Sequence, residues 1–368
     1  MFRRSSLASL VKEQEQVPVV PLMGFPGVQI NRTTLKQNAF NWGVQFWTLF
    51  ELVRRFQPDG VFTFMDLSVE ANALGLPVVY PLHESPSVEY PVVQSASDLH
   101  SFAHLDILRD GRIRVFVETM RLMSQYLSIM RGGYVIGPYT LAGLMLGATE
   151  SAMAIYDKPD LLHRTLAFAT QVISRYATAL SSAGADVIAI LEPTAVMLSP
   201  RHFWDFSGQY VKQIVDRLEV APVLHICGNT SRILDGMIET GAQGLSLDAL
   251  IDLPEVARRI PSDVVLVGNI SPTAVMVDMS PLEVYAETQN LLEAMRPFSN
   301  FILSTGCDLP PETPLENIQA FMDAARGRPL DVSAQGWKHE VSPVMKDPLE
   351  RILADIERGW VPVSSSLN

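Results

Sequence analysis

Residues 158–193 read KPDLLHRTLAFATQVISRYATALSSAGADVIAILEP. Apolar side chains recur there at helical spacing as far as Gly184, after which DVIAIL forms a short β-rich run ending on Glu192. The same unit, an amphipathic segment followed by a short strand, repeats outward in both directions. Strands are predicted at 18–22, 61–65 (VFTFM), 134–138 (YVIGP), 186–191, 222–227 (PVLHIC), 244–248 (GLSLD), 264–269 (VVLVGN) and 301–305 (FILST). Helices are predicted at 34–57, 110–130, 158–183, 201–219, 231–240, 281–296 and 315–326, with Gly132-Gly133 as a turn. Such alternation indicates a parallel sheet with crossover helices. Eight strands suit a closed barrel, so the expected fold is α/β, a (β/α)8 TIM barrel.

The barrel is expected to occupy residues 1–327. A Pro-rich insertion at 70–110, after an early strand, is expected to cover one mouth as a hairpin or lid. Residues 328–368 read as a C-terminal tail with one short helix near 347–358, docked on the body or on a second subunit of a homodimer. Of 368 residues, 48% are hydrophobic and 18% charged, below the about 25% usual for a globular chain, so a large core can be buried. Lys plus Arg is 28 and Asp plus Glu is 40, a net charge of −12, which argues against nucleic acid or an anionic membrane as partner. Two cysteines exclude a disulfide framework and suggest a reducing compartment. The opening MFRRSSLASLVKEQEQ lacks a long apolar run, and no stretch of 18 apolar residues occurs, so a cytoplasmic location is expected.

The chemically capable residues fall at the C-terminal ends of the predicted strands: Asp66, Tyr139, Glu192, His225, Cys227, Asp248, Asn269 and Cys307. In a (β/α)8 barrel those ends line the mouth that carries the active site. His225 and Cys227 are two apart on one strand and leave on one face. With Cys307 they make a soft nitrogen–sulfur set suited to zinc, with a coordination place left open. The competing reading is two inert buried cysteines and a core histidine. Asp248 is a fourth ligand, a carboxylate supporting the ligands, or a turn residue. Glu192 is a proton acceptor, a substrate anchor, or a loop carboxylate before a helix capped by Ser199 with Pro200 first. Thr313 to Glu316 reads as a capping box with Pro314 at the first helical position. No G-x-G-x-x-G, Walker or G-x-S-x-G motif is present.

The stretches FMDLSVEANALGLPV, YVIGPYTLAGLMLG, AGADVIAILEPTAVMLSP, VLHICGNT, GLSLD, VLVGNISP and STGCDLPPETPLENIQAF resemble the uroporphyrinogen decarboxylase superfamily, over about residues 6–327. VLHICGN and TGC–PPETPLENI are most similar to its zinc-dependent methylcobamide:coenzyme M methyltransferases. The decarboxylases' N-terminal paired arginines are missing from MGFPGVQINRTTL, where Arg32 is the only nearby candidate, and Gly306-Cys307-Asp308 stands where they carry a histidine between glycines. Asp66 matches their catalytic aspartate, and Tyr139 falls in their Gly-Pro-x-Thr-Leu region. The order H-x-C, acid, C also resembles cobalamin-independent methionine synthase, with Asp248 at the acidic ligand's spacing.

The resemblance implies His225, Cys227 and Cys307 as zinc ligands and a corrinoid (methylcobalamin) carried by a partner protein. It implies methyl transfer between that corrinoid and a small acceptor or donor, a zinc-activated thiol first of all. Glu192 and Asp66 then orient substrate or move protons, Asp248 yields to substrate or tunes the site, Tyr139 contacts substrate, and Asn269 contacts substrate or only stabilises its turn. Two other readings stand beside it. One is a cofactor-free decarboxylase of a tetrapyrrole or another carboxylate-rich substrate; the other is a non-enzymatic corrinoid- or tetrapyrrole-binding protein.

Overall fold

The computed structural model describes residues 6–330 apart from residue 103. The expected helix at 347–358 lies outside the described residues. Seven parallel strands form one curled sheet in the order β1 (Gly60–Phe62), β4 (Met130–Ile136), β5 (Val187–Leu191), β6 (Ala221–Ile226), β7 (Gly244–Leu247), β8 (Val265–Ile270) and β9 (Phe301–Thr305). The two remaining strands, β2 (Val78–Val79) and β3 (Ser87–Val88), pair antiparallel as a small hairpin within the Pro-rich insertion.

The expected eighth strand at 18–22 is reduced to a single bridge from Val19 to Leu303 of β9. Its prolines explain this: Pro18 and Pro21 have no N–H to give to a ladder. The segment still touches both outer strands of the sheet. Val20 N–H donates to Leu303 (2.9 Å), while the Val19 carbonyl accepts from Asp59 N–H (2.9 Å) just ahead of β1.

Alternation along the strands separates two cores. Val187, Ala189 and Leu191 of β5 join Val223, Val265, Val267 and Ile302 in an inner cluster, while Ile188, Ile190, Leu224 and Leu266 face the helices. The helix Leu7–Lys12 sends Leu7, Ala8 and Val11 into the inner cluster from the N-terminal ends of the strands. There Gln243, just before β7, accepts from Leu7 N–H (2.9 Å). The inside of the sheet is thus packed and plugged below, and its polar residues are confined to the other end.

The long helix Pro159–Ser182 matches the expectation. The expected helix 34–57 is two, Leu35–Phe40 and Trp42–Phe56, because the Asn41 side chain accepts from Gly43 and Val44 N–H and starts a new helix. Gly132 and Gly133, expected as a turn, lie inside β4, where a side chain at Gly132 would overlap the Phe62 ring. The expected capping box at 313–316 is not formed: the Thr313 hydroxyl donates to the Pro310 carbonyl (2.8 Å), and Pro314 precedes the helix Leu315–Ala325. The helices Pro138–Leu146 and Ala148–Asp157 had not been predicted.

Leu7 is 2% exposed at the plug. Leu7→Ala is expected to cost about 2–5 kcal/mol, as for other large-to-small core changes, read as a lower urea midpoint with an unchanged slope.

Candidate metal centre

β6 sends Val223, His225 and Cys227 inward in turn, because a strand turns every second side chain to the same face. His225 is 2% exposed. Its Nε2 lies 3.1 Å from Cys227 Sγ and 3.6 Å from Cys307 Sγ, and the two sulfurs are 3.4 Å apart. Both cysteines are free thiols. Cys307 arrives on the loop after β9. Gly306 lets that loop close on the one after β7, where a Cβ would stand 2.6 Å from Ala249 N.

These spacings fit a metal. Donors on a tetrahedral zinc, with Zn–S of about 2.3 Å and Zn–N of about 2.0–2.1 Å, stand about 3.6–3.8 Å apart. The three donors stand at or slightly inside that spacing, so a small expansion completes three corners. On the far side of the ring, Nδ1 is 2.9 Å from Ser246 Oγ. The thiols share a hydrogen bond that lowers Cys227, while Cys307, bound to it and buried, is pushed up.

Asp248 is not in this group. Its Oδ2 accepts from Gly228 N–H (2.8 Å), next to Cys227, and its Oδ1 from Leu250 N–H (2.9 Å). Asn269, 8% exposed, donates to the Asp248 carbonyl (2.9 Å) and the Ile251 carbonyl (2.7 Å). Together they brace the β7 loop around the thiols.

Glu192 is fully buried, one residue beyond β5. Its Oε1 accepts from the N–H groups of Tyr139 (2.7 Å) and Thr140 (3.2 Å) and from the Ser207 hydroxyl (3.2 Å). It thereby satisfies the first turn of the helix Pro138–Leu146. Gly137 makes room, since a side chain there would overlap the carboxyl. The other oxygen, Oε2, is enclosed without a partner, and burial raises the group to about 8. Tyr139 is 2% exposed and its hydroxyl faces Ser151, so its polar contacts run to the helices, not to the thiols.

Asp66 accepts from Ser68 N–H (2.8 Å) and Oγ (2.7 Å) through one oxygen and pairs with Arg112 through the other. Their side chains are 4% and 3% exposed, and the Arg112 guanidinium also packs against the rings of Tyr80 (4.9 Å) and Phe40 (5.5 Å). Arg112, not Arg32, is thus the arginine that faces Asp66. The sequence carries a signal for it: Arg112 is in phase with Phe116, Thr119 and Met123 on the buried face of the helix Gly111–Tyr126. Three more groups had not been singled out. Glu70 is buried, accepts from Ile136 N–H (2.8 Å) and is raised to about 8 by burial. Tyr134 and Asp308 each carry an enclosed oxygen without a partner beside Cys307, and burial raises both.

The family model described as Uroporphyrinogen decarboxylase (URO-D) matches residues 12–328. The methylcobamide:CoM methyltransferase MtbA of Methanosarcina mazei is 30% identical over 71% of this chain and 77% of its own. The uroporphyrinogen decarboxylase of Prochlorococcus marinus (strain MIT 9312) is 27% identical over 73% of this chain and 79% of its own. Among solved structures, a methyltransferase from Methanosarcina mazei superposes with a TM-score of 0.79 at 26% identity, covering 88% of this chain and 98% of that one.

Glu192 supplies a test of its burial. Its folded value, about 8, stands above the ordinary 4.5, so the folded state holds a proton that the unfolded chain releases between those pH values. Stability is therefore present below pH 4.5 and lost as pH rises through 8. Glu192→Gln keeps the Oε1 acceptor and removes the titration. Its urea midpoint is expected to fall less than the wild type's between pH 6 and 9, Glu70 retaining its own share.

Proposed function

The chain belongs to the uroporphyrinogen decarboxylase family, and within it we propose a zinc-dependent methyltransferase that moves a methyl group between a corrinoid, carried by a partner protein, and the sulfur of a small thiol. The observation that carries this reading is the donor set His225, Cys227 and Cys307, at tetrahedral spacing on the inner face of the sheet. The match to the MtbA enzyme supports the choice of branch.

His225, Cys227 and Cys307 would hold the zinc and leave one corner open. Zinc held there supplies positive charge that keeps a substrate thiol, with an ordinary pKa of ~8.5, deprotonated near neutral pH. The other residues shape the space. Asp248 and Asn269 brace the loop beside Cys227, and the space beneath His225 is lined by apolar side chains. Glu192 fixes the helix Pro138–Leu146 through Oε1, which is committed to three donors, while its enclosed Oε2 has no partner. Asp66 is held by Ser68 and Arg112, which leaves it poorly placed for the proton transfer a decarboxylase asks of it.

The chain purified under reducing conditions is expected to carry about one zinc per molecule, and Cys227→Ser or Cys307→Ser to lose it. With methylcobalamin as donor, 2-mercaptoethanol or a similar small thiol should be methylated by the wild type and by neither variant. Absence of zinc from the wild type after reconstitution would overturn the reading in favour of the decarboxylase. Breaking the buried pair tests a separate point: Arg112→Met leaves Asp66 uncompensated and should cost about 3–5 kcal/mol by urea unfolding, without removing zinc.

A further inference from the structure

Inward-facing side chains form a row across the sheet at the level of His225. Leu191 is its register partner on β5 and Ser246 on β7, and Val267 on β8 follows Ser246. Ser246 is 4% exposed and lines an interior cavity of about 20 Å³ with Leu22, Val223, Val267 and Ile302. A hydroxyl in such surroundings costs stability unless it is bonded. Its side-chain partner among the described residues is His225 Nδ1, at 2.9 Å.

We propose that Ser246 is a positioning residue of the metal centre, accepting Nδ1–H at its Oγ so that the bare Nε2 of His225 faces Cys227 and Cys307. The inference rests on the reading of those three residues as metal ligands. An imidazole binds a metal through an unprotonated nitrogen, and the hydrogen bond at the other nitrogen decides which one is bare. With only Leu191 and Val267 in its row, Nδ1–H would be buried without an acceptor. The proton would then sit on Nε2, where the Cys227 sulfur 3.1 Å away receives it and the ligand atom is blocked.

A hydroxyl has a property that a carboxylate or carbonyl partner lacks: it donates as well as accepts. In the metal-free protein the Ser246 O–H can donate to Nδ1 while Nε2–H points to Cys227. On loading, the imidazole proton moves to Nδ1 and the hydroxyl rotates to accept it. Both states use the same heavy-atom positions, so the strands need not shift. Ser246 also adds no charge to a site that already carries two thiols able to ionise.

The test uses the full chain with Ser246→Thr and Ser246→Val, which match in shape and differ in the hydroxyl, and with Ser246→Ala as the smaller replacement. Zinc affinity is measured by chelator competition, with Co²⁺ as the spectroscopic probe and ¹⁵N shifts of labelled imidazole reporting the tautomer. Ser246→Thr should bind Zn²⁺ within about threefold of the wild type. Ser246→Val and Ser246→Ala should bind about 10–100-fold more weakly, with no lower melting temperature for metal-free Ser246→Val than for Ser246→Thr. Loaded wild type should show Nδ1 protonated. Equal affinity in the Thr and Val variants overturns the role of Ser246, with the Ala variant deciding if Val does not fold. A wild type that binds no zinc instead overturns the metal reading beneath it.

Discussion

The pairing of β6 with β7 places His225 opposite Ser246, and the metal centre depends on that register. A slip of one residue along β6 would turn His225 and Cys227 to the helical face and bring Leu224 and Ile226 inside, and a slip along β7 would turn Ser246 away from the imidazole. Register is therefore enforced by the packing of Val223 below and of Leu224 and Ile226 behind, long before any ligand binds. Cys307 cannot share in that enforcement because it lies beyond the end of β9. It is delivered by a loop that approaches the backbone at Asp248 and Ala249, which is why a glycine precedes it.

The strand ends also carry an unusual burden of buried carboxyls, and each is answered locally. Asp66 has Arg112 and two donors from Ser68, Glu192 has the first turn of a helix, and Glu70 has the N–H of Ile136. None of these arrangements is cheap, since charge removed from water is repaid only by near-complete bonding. The enclosed Oε2 atoms of Glu70 and Glu192 show the repayment left incomplete, and both groups accordingly favour the protonated form near neutrality. These acids thus also hold short helices and loops in place at the strand ends.

Much of the fold was legible because its signals are local. Seven of eight expected strands appear within a few residues of their predicted places, since a buried parallel strand is a run of apolar residues bounded by glycine or polar residues. The eighth was overcounted because composition registers valines but not the donors that Pro18 and Pro21 lack. His225, Cys227 and Cys307 were legible from strand period and scarcity, two cysteines being the whole supply. Ser246 and Arg112 were not singled out, because what distinguishes each is its partner: a histidine 21 residues away for one, and an aspartate 46 residues away for the other. Periodicity can put a residue on the inner face, but it cannot say which inner residue it will meet.

That distinction bears on how one scaffold serves relatives with different chemistry. The sheet, its plug at Leu7 and its apolar interior make no demand on what stands at the strand ends. Exchanging a few residues there leaves stability mostly where it was, because the core lies below them. In this chain the exchanges act together. Cys227 and Cys307 place soft donors beside His225, and Arg112 pairs with Asp66. Ser246 gives the imidazole a partner that accepts a hydrogen bond without adding charge. A site assembled this way has His225 and its partner Ser246 on strands, with Cys227 and Cys307 just beyond the strand ends. The ligand spacing is then set by the sheet together with the close approach of the loops after β7 and β9, and loops farther out remain free to diverge with the substrate and the partner.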